Sequence, residues 1–117
     1  MRALLETLRE YAPCSSVQVP VEGPVNDILQ HGELFVGNPI KYRLMTPKAC
    51  HQNVLALYKQ QKIVNMCSGY ALAPDRKWRY HSWGLTKAMD IVETTAPFLL
   101  YFGCILVEKE ENSAAVA

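Results

Sequence analysis

Two strand-like runs, residues 63–73 and 77–85, stand on either side of Ala73-Pro74-Asp75-Arg76, and they constrain the fold of this 117-residue chain more than any other feature. The residues between them carry turn chemistry. Proline presets φ for the second turn position, and aspartate bonds back to its own backbone. A connection this short joins antiparallel neighbours. A short run at 91–94 and a long one at 98–107 follow, so the C-terminal half predicts an antiparallel meander of three to four strands. The nearly apolar stretch 96–107 includes Pro97 and Gly103. At twelve residues it falls short of the roughly 20 that a membrane-spanning helix needs, and it reads as a buried strand. No membrane partner is expected.

One helix accompanies these strands. Thr46-Pro47 is a start signal, because threonine caps and proline is favoured at the first helical position. From there the helix is expected to run to about Gln61, with Cys50, Val54, Leu57 and Tyr58 on one side. The fold class predicted is α+β, with the meander packed on this central helix bearing Cys50. Earlier in the chain, Leu4, Leu5, Leu8 and Tyr11 recur at helical spacing up to Pro13. Pro20, Pro24 and Pro39 then make the region loop-rich, with one helical turn expected around 24–30 and a strand or extended segment over part of 33–43. The length favours a single domain over 1–117. Within it, residues 1–45 form an irregular N-terminal wrap with a short helix, 46–107 a catalytic-type core, and 108–117 a flexible tail.

Charge excludes some functions. Twelve Lys and Arg against eleven Asp and Glu leave +1, with no global pull toward nucleic acid or an anionic membrane. The run Arg76-Lys77-Trp78-Arg79-Tyr80 mixes cations with aromatics, but alternation sends Trp78 and Tyr80 to the face opposite Lys77 and Arg79. Stacking and phosphate contact would need both sets together, so no nucleic acid is expected. Arg2, Glu6, Arg9 and Glu10 interrupt what would have to be a signal peptide's apolar region, so a cytoplasmic location is expected. Cys14, Cys50, Cys67 and Cys104 show no CxxC pair or zinc spacing, which predicts reduced thiols, no metal and no cofactor.

The residues that can carry chemistry are Cys50, His81 and a following acid. A cysteine in a helix's first turn lies beside unbonded backbone N–H groups and the positive end of the helix dipole, which stabilise a thiolate. The same amides can receive an oxyanion on a carbonyl under attack. In Arg79-Tyr80-His81-Ser82-Trp83, alternation puts His81 on a face with Trp83, where it can act as general base. His81 then needs an acceptor on its far nitrogen. A hairpin turning through Thr86-Lys87-Ala88 places Glu93 opposite His81. Asp90 falls nearer the turn, yet its short side chain keeps it as the second candidate. His51 points roughly 100° away from Cys50 on a helix and is poorly placed as that thiol's base.

Five short words extend this pattern: Cys50-His51-Gln52-Asn53, Gly69-Tyr70-Ala71, His81-Ser82-Trp83, Glu93-Thr94-Thr95 and Tyr101-Phe102-Gly103. In that order they resemble a group of small bacterial and phage proteins with a papain-like, transglutaminase-like Cys-His-acid core. The resemblance covers about residues 44–107 and implies Cys50, His81 and Glu93 as the triad, with Asp90 at a turn. Asn53, Gly69 and Trp83 are candidates for substrate binding, each with a structural alternative: orienting a loop, a close backbone approach, a core aromatic.

Two functions follow. The first is a cysteine-dependent hydrolase or acyltransferase acting on an amide, ester or thioester of a protein, peptide or small molecule. The second is a non-catalytic binding or regulatory protein on the same scaffold.

Overall fold

The hairpin at the centre of the sequence forms. A computed structural model describes residues 2–12, 16–17 and 31–106. The N-terminal helix α1 is Arg2–Tyr11, followed by strands β1 (Ser16–Val17), β2 (Glu33–Phe35) and β3 (Ile40–Tyr42). Helix α2 (Cys50–Lys59) comes next, then β4 (Asn65–Leu72), β5 (Lys77–Leu85), β6 (Ile91–Glu93) and β7 (Leu100–Ile105). The helical turn expected around 24–30, the tail 108–117 and Cys14 lie outside the described residues.

The antiparallel meander of three to four strands on a central helix is not what forms. Strands hydrogen-bond in the order β2-β7-β4-β5-β6-β3, with β1 beside β5. The sheet is mixed: β2 with β7 and β5 with β6 are antiparallel, whereas β3 with β6 and β1 with β5 are parallel. Two strands outside the expected C-terminal meander come from the segment 33–43, part of which the sequence predicts as strand or extended. Gly37 sits in the left-handed region at φ 79°, which breaks the segment into β2 and β3. These two strands then join different neighbours, Leu34 opposite Phe102 and Lys41 opposite Val92.

Two compact units are built from interleaved stretches of the chain: 1–36, 69–81 and 97–104 form one, and 37–68, 82–96 and 105–117 the other. The first is organised by the hairpin turn. Ala73 and Arg76 close it, the Ala73 N–H donating to the Lys77 carbonyl at 2.9 Å and the Arg76 N–H to the Ala73 carbonyl at 2.9 Å. Arg79 donates to both Asp75 carboxylate oxygens, at 3.0 and 2.9 Å, and this bond holds the Asp75 carboxyl below its ordinary range. Around the hairpin, Leu8 of α1 packs with Ala12, Tyr70, Leu72, Trp78 and Phe102. Trp78 is fully buried, so its ring offers nothing for a base to stack on.

Tyr70 is the anomaly of this core. Burial, reinforced by Tyr80 (ring centroids 5.7 Å away), pushes its phenol up to about 12. Its hydroxyl is buried and has no hydrogen-bond partner among the described residues. An unsatisfied buried hydroxyl carries a desolvation penalty of about 1–3 kcal/mol. Tyr70→Phe removes that group and keeps the ring, so a thermal melt should show unchanged or higher stability, by up to about 1 kcal/mol.

The second unit has its own small core of Val54, Leu57, Ile63 and Val92, with Met45, Tyr58 and Met66 packed against it. Helix α2 contributes Val54 and Leu57 at i and i+3, the spacing that gives a helix one buried face. No helix among the described residues is long and apolar enough to cross a membrane.

Candidate active site around the start of helix α2

Helix α2 begins on Cys50 and not, as Thr46-Pro47 suggested, at Pro47. Lys48 has φ 59°, a left-handed conformation that cannot belong to a right-handed helix, and residues 46–48 form a turn instead. The helix also ends earlier than expected, at Lys59, and Gln61 is left-handed too (φ 61°). Ala49 takes the capping position and has no side chain able to bond the first turn. The first helical bond runs from the Asn53 N–H to the Ala49 carbonyl at 2.8 Å. Cys50 is therefore the first helical residue, partly exposed, at the end where amides lack intrahelical acceptors.

Asn53 braces this turn. Its side-chain Nδ2 donates to the Thr46 carbonyl at 2.8 Å and to Thr94 Oγ1 at 3.2 Å. One amide thus fixes the approach to the helix and ties the helix to the residue after β6. At 4% exposure with both N–H groups used, Asn53 fits the loop-orienting alternative. Asn53→Ala should lower stability by about 2 kcal/mol, since one buried and one partly buried hydrogen bond are lost and Thr94 Oγ1 is left without that donor. Chemical denaturation would check this, with Asn53→Asp as a companion that keeps the shape and removes the donors.

Both candidate acids lie at the ends of β6. Glu93 is fully buried. Its Oε2 accepts from the Thr95 N–H at 2.9 Å, the Thr95 hydroxyl at 3.0 Å and the Ala96 N–H at 3.4 Å. Asp90 is held at 2.9 Å by Lys41, and its backbone N–H is bonded to Thr86 Oγ1 at 3.1 Å, so it occupies a turn position. The turn is longer than Thr86-Lys87-Ala88. Thr86 N–H bonds the Asp90 carbonyl at 3.0 Å, and Met89 bends left-handed at φ 69°. Gly84 therefore faces Val92 and Leu85 faces Ile91. Continued by one pair, this register places Trp83, not His81, opposite Glu93, a shift of two residues that keeps the same strand face.

His81 lies in the first unit at 4% exposure, its ring 4.4 Å from that of Phe98 and 6.5 Å from that of Tyr101. Cys50, Glu93, Asp90, Asn53 and Trp83 all belong to the second unit. Trp83 is fully buried, the condition of a core aromatic. At Gly69 a side chain would run into the Phe102 carbonyl oxygen and Gly103 Cα. This is the close backbone approach allowed for in the sequence, and it fills the space a substrate would need.

The second unit also holds a constellation that alternation alone did not bring out. Ser82 Oγ is hydrogen-bonded to His51 Nδ1, and Ser82 and Ser68 hydroxyls lie 2.9 Å apart. His51, Ser68 and Ser82 line a cavity of about 210 Å³ whose other walls include Val54, Leu55, Met66 and Leu106. A signal for it exists: a hairpin closed by Ala73 and Lys77 sets Ser68 directly across from Ser82. The helical projection of His51 away from Cys50 is what carries its ring to Ser82.

Among the described residues, no group of three or more His, Cys, Asp or Glu is placed to hold a metal ion. Cys50, Cys67 and Cys104 form no disulfide. None of the protein-family models, curated proteins or solved structures compared with the chain gives a significant match.

Proposed function

We propose that this chain is a cysteine-dependent hydrolase or acyltransferase acting on an amide, ester or thioester, with Cys50 as nucleophile. The observation that carries the reading is the start of α2. The thiol occupies the first helical position, partly exposed, behind an alanine that leaves the first turn without a side-chain cap. Amides and helix dipole at such a terminus favour the thiolate over the thiol. The same amides are donors for the oxyanion that forms when sulfur attacks a carbonyl.

In this reading His81 takes the thiol proton and returns it to the leaving group, while a carboxylate orients the imidazole. Glu93 is the stronger choice of acid, because Asp90 is held by Lys41 in a turn. The register favours neither acid by direct opposition. The order Cys50, His81, Glu93 is also that of the resemblance drawn from the five sequence words. The resident chemistry needs no cofactor.

Trapping the covalent intermediate tests the proposal. Incubation with an activated acyl ester such as p-nitrophenyl acetate, quenched in acid and mapped by peptide mass spectrometry, should place the acyl group on Cys50. An acyl group that never appears on Cys50, with no turnover, supports the non-catalytic binding protein instead.

A further inference from the structure

We propose a second acyl-transfer centre in the second unit, in which Ser82 is the nucleophile, His51 its general base and Ser68 the donor to the oxyanion. It goes beyond the Cys50 reading and does not depend on it. Its chemistry is the hydrolysis of esters of short aliphatic acids.

The argument rests on a contact and a cavity. The Ser82 hydroxyl meets His51 Nδ1, the pairing that lets an imidazole take a proton from an otherwise unreactive alcohol. His51 is an exposed residue in the first turn of α2. Ser82 and Ser68 are each 4% exposed and open into the cavity of about 210 Å³. Val54, Met66 and Leu106 give that cavity aliphatic walls and a volume that matches a short acyl chain. Serine hydroxyls placed in strands β4 and β5 are held by a sheet, which gives the fixed geometry a reacting pair requires.

The step balances with water alone. Ser82 Oγ bonds to the ester carbonyl carbon and its proton passes to His51 Nδ1. The carbon–oxygen bond to the alcohol breaks, and His51 gives that proton to the departing oxygen. Water then attacks the acyl-serine, its proton moving through His51 to Ser82 Oγ as the acid leaves. Ser68, 2.9 Å from Ser82 Oγ, is the nearest side-chain donor shown for the carbonyl oxygen while it carries negative charge.

The test is covalent labelling of the full chain with an alkyl fluorophosphonate, which loses fluoride on attack by an activated serine. Peptide mapping should find the phosphonyl group on Ser82. His51→Gln, a substitution at an exposed position, should slow labelling by about 10²-fold or more while leaving the circular dichroism melt unchanged. The full chain should also cleave p-nitrophenyl butyrate in preference to the palmitate. Absence of label on Ser82, or labelling equally fast in His51→Gln, overturns the proposal. Because Ser82→Ala removes a buried hydrogen-bonding group and can unfold the unit, the exposed His51 variant carries the decision.

Discussion

Gly69→Ala should destabilise the protein by about 3 kcal/mol or more. A Cβ at this position meets the Phe102 carbonyl oxygen and Gly103 Cα, with the Phe102 carbonyl carbon at 3.0 Å. All three atoms are backbone, and β7 is already registered against β2 through Leu34–Phe102 and Glu33–Gly103. Relief therefore has to come from moving a strand, not a rotamer. Gly84→Ala provides the control. There the added Cβ meets only Ile63 side-chain atoms, at 2.7 and 2.9 Å, and a rotamer change can relieve much of the overlap. About 1 kcal/mol is expected for Gly84→Ala. Urea unfolding of both variants checks the contrast. For a domain of this size the Gly69 variant should melt roughly 10 °C lower or more. Equal costs at the two positions would mean that the close approach of Gly69 to β7 is relieved as easily as a side-chain contact.

His81→Ala should slow acylation of Cys50 by about 10²–10⁴-fold, the range that general-base assistance typically supplies. The prediction is specific to the triad reading, because His51 is already engaged with Ser82 and is directed away from Cys50. His81→Ala also removes a ring packed against Phe98 and Tyr101, so stability has to be measured alongside rate. The pH profile separates the two roles. Loss of a base removes the rise in rate as the imidazole deprotonates, whereas loss of packing alone leaves the profile's shape intact. Glu93→Gln should reduce the rate less, and it should also cost stability, since Gln offers the Thr95 and Ala96 donors a weaker neutral acceptor.

Elements with strong local signals were legible in the sequence. The extent of β5, the N-terminal helix before Pro13 and the turn at Pro74-Asp75 follow from alternation, helical spacing and turn chemistry. Pairings between distant segments were not. Nothing local in Ile40–Tyr42 announces a parallel partner at Ile91–Glu93, because strand pairing is decided by the sheet as a whole. Left-handed Lys48 and Met89 moved the start of α2 and the register of β6. Neither residue type signals a positive φ, unlike the glycine at position 37. Ser68 and Ser82 were within reach of the hairpin arithmetic, but hydrophobic alternation weighs apolar side chains and gives a pair of small hydroxyls no emphasis. For the candidate site, the chemistry-bearing residue types could be named from order along the chain. The two-residue shift between His81 and Glu93 depended on the length of the loop at 86–90.

The start of α2 can be interrogated by thiol reactivity alone. Iodoacetamide under native conditions, with the rate at each cysteine followed by peptide mass spectrometry across a pH series, reads thiolate character residue by residue. Cys50 should alkylate fastest of the four cysteines at neutral pH and keep reacting several pH units below the usual thiol midpoint of about 8.5. Alkylation of Cys50 that tracks an ordinary thiol, or no faster than that of the buried Cys67, would contradict the account.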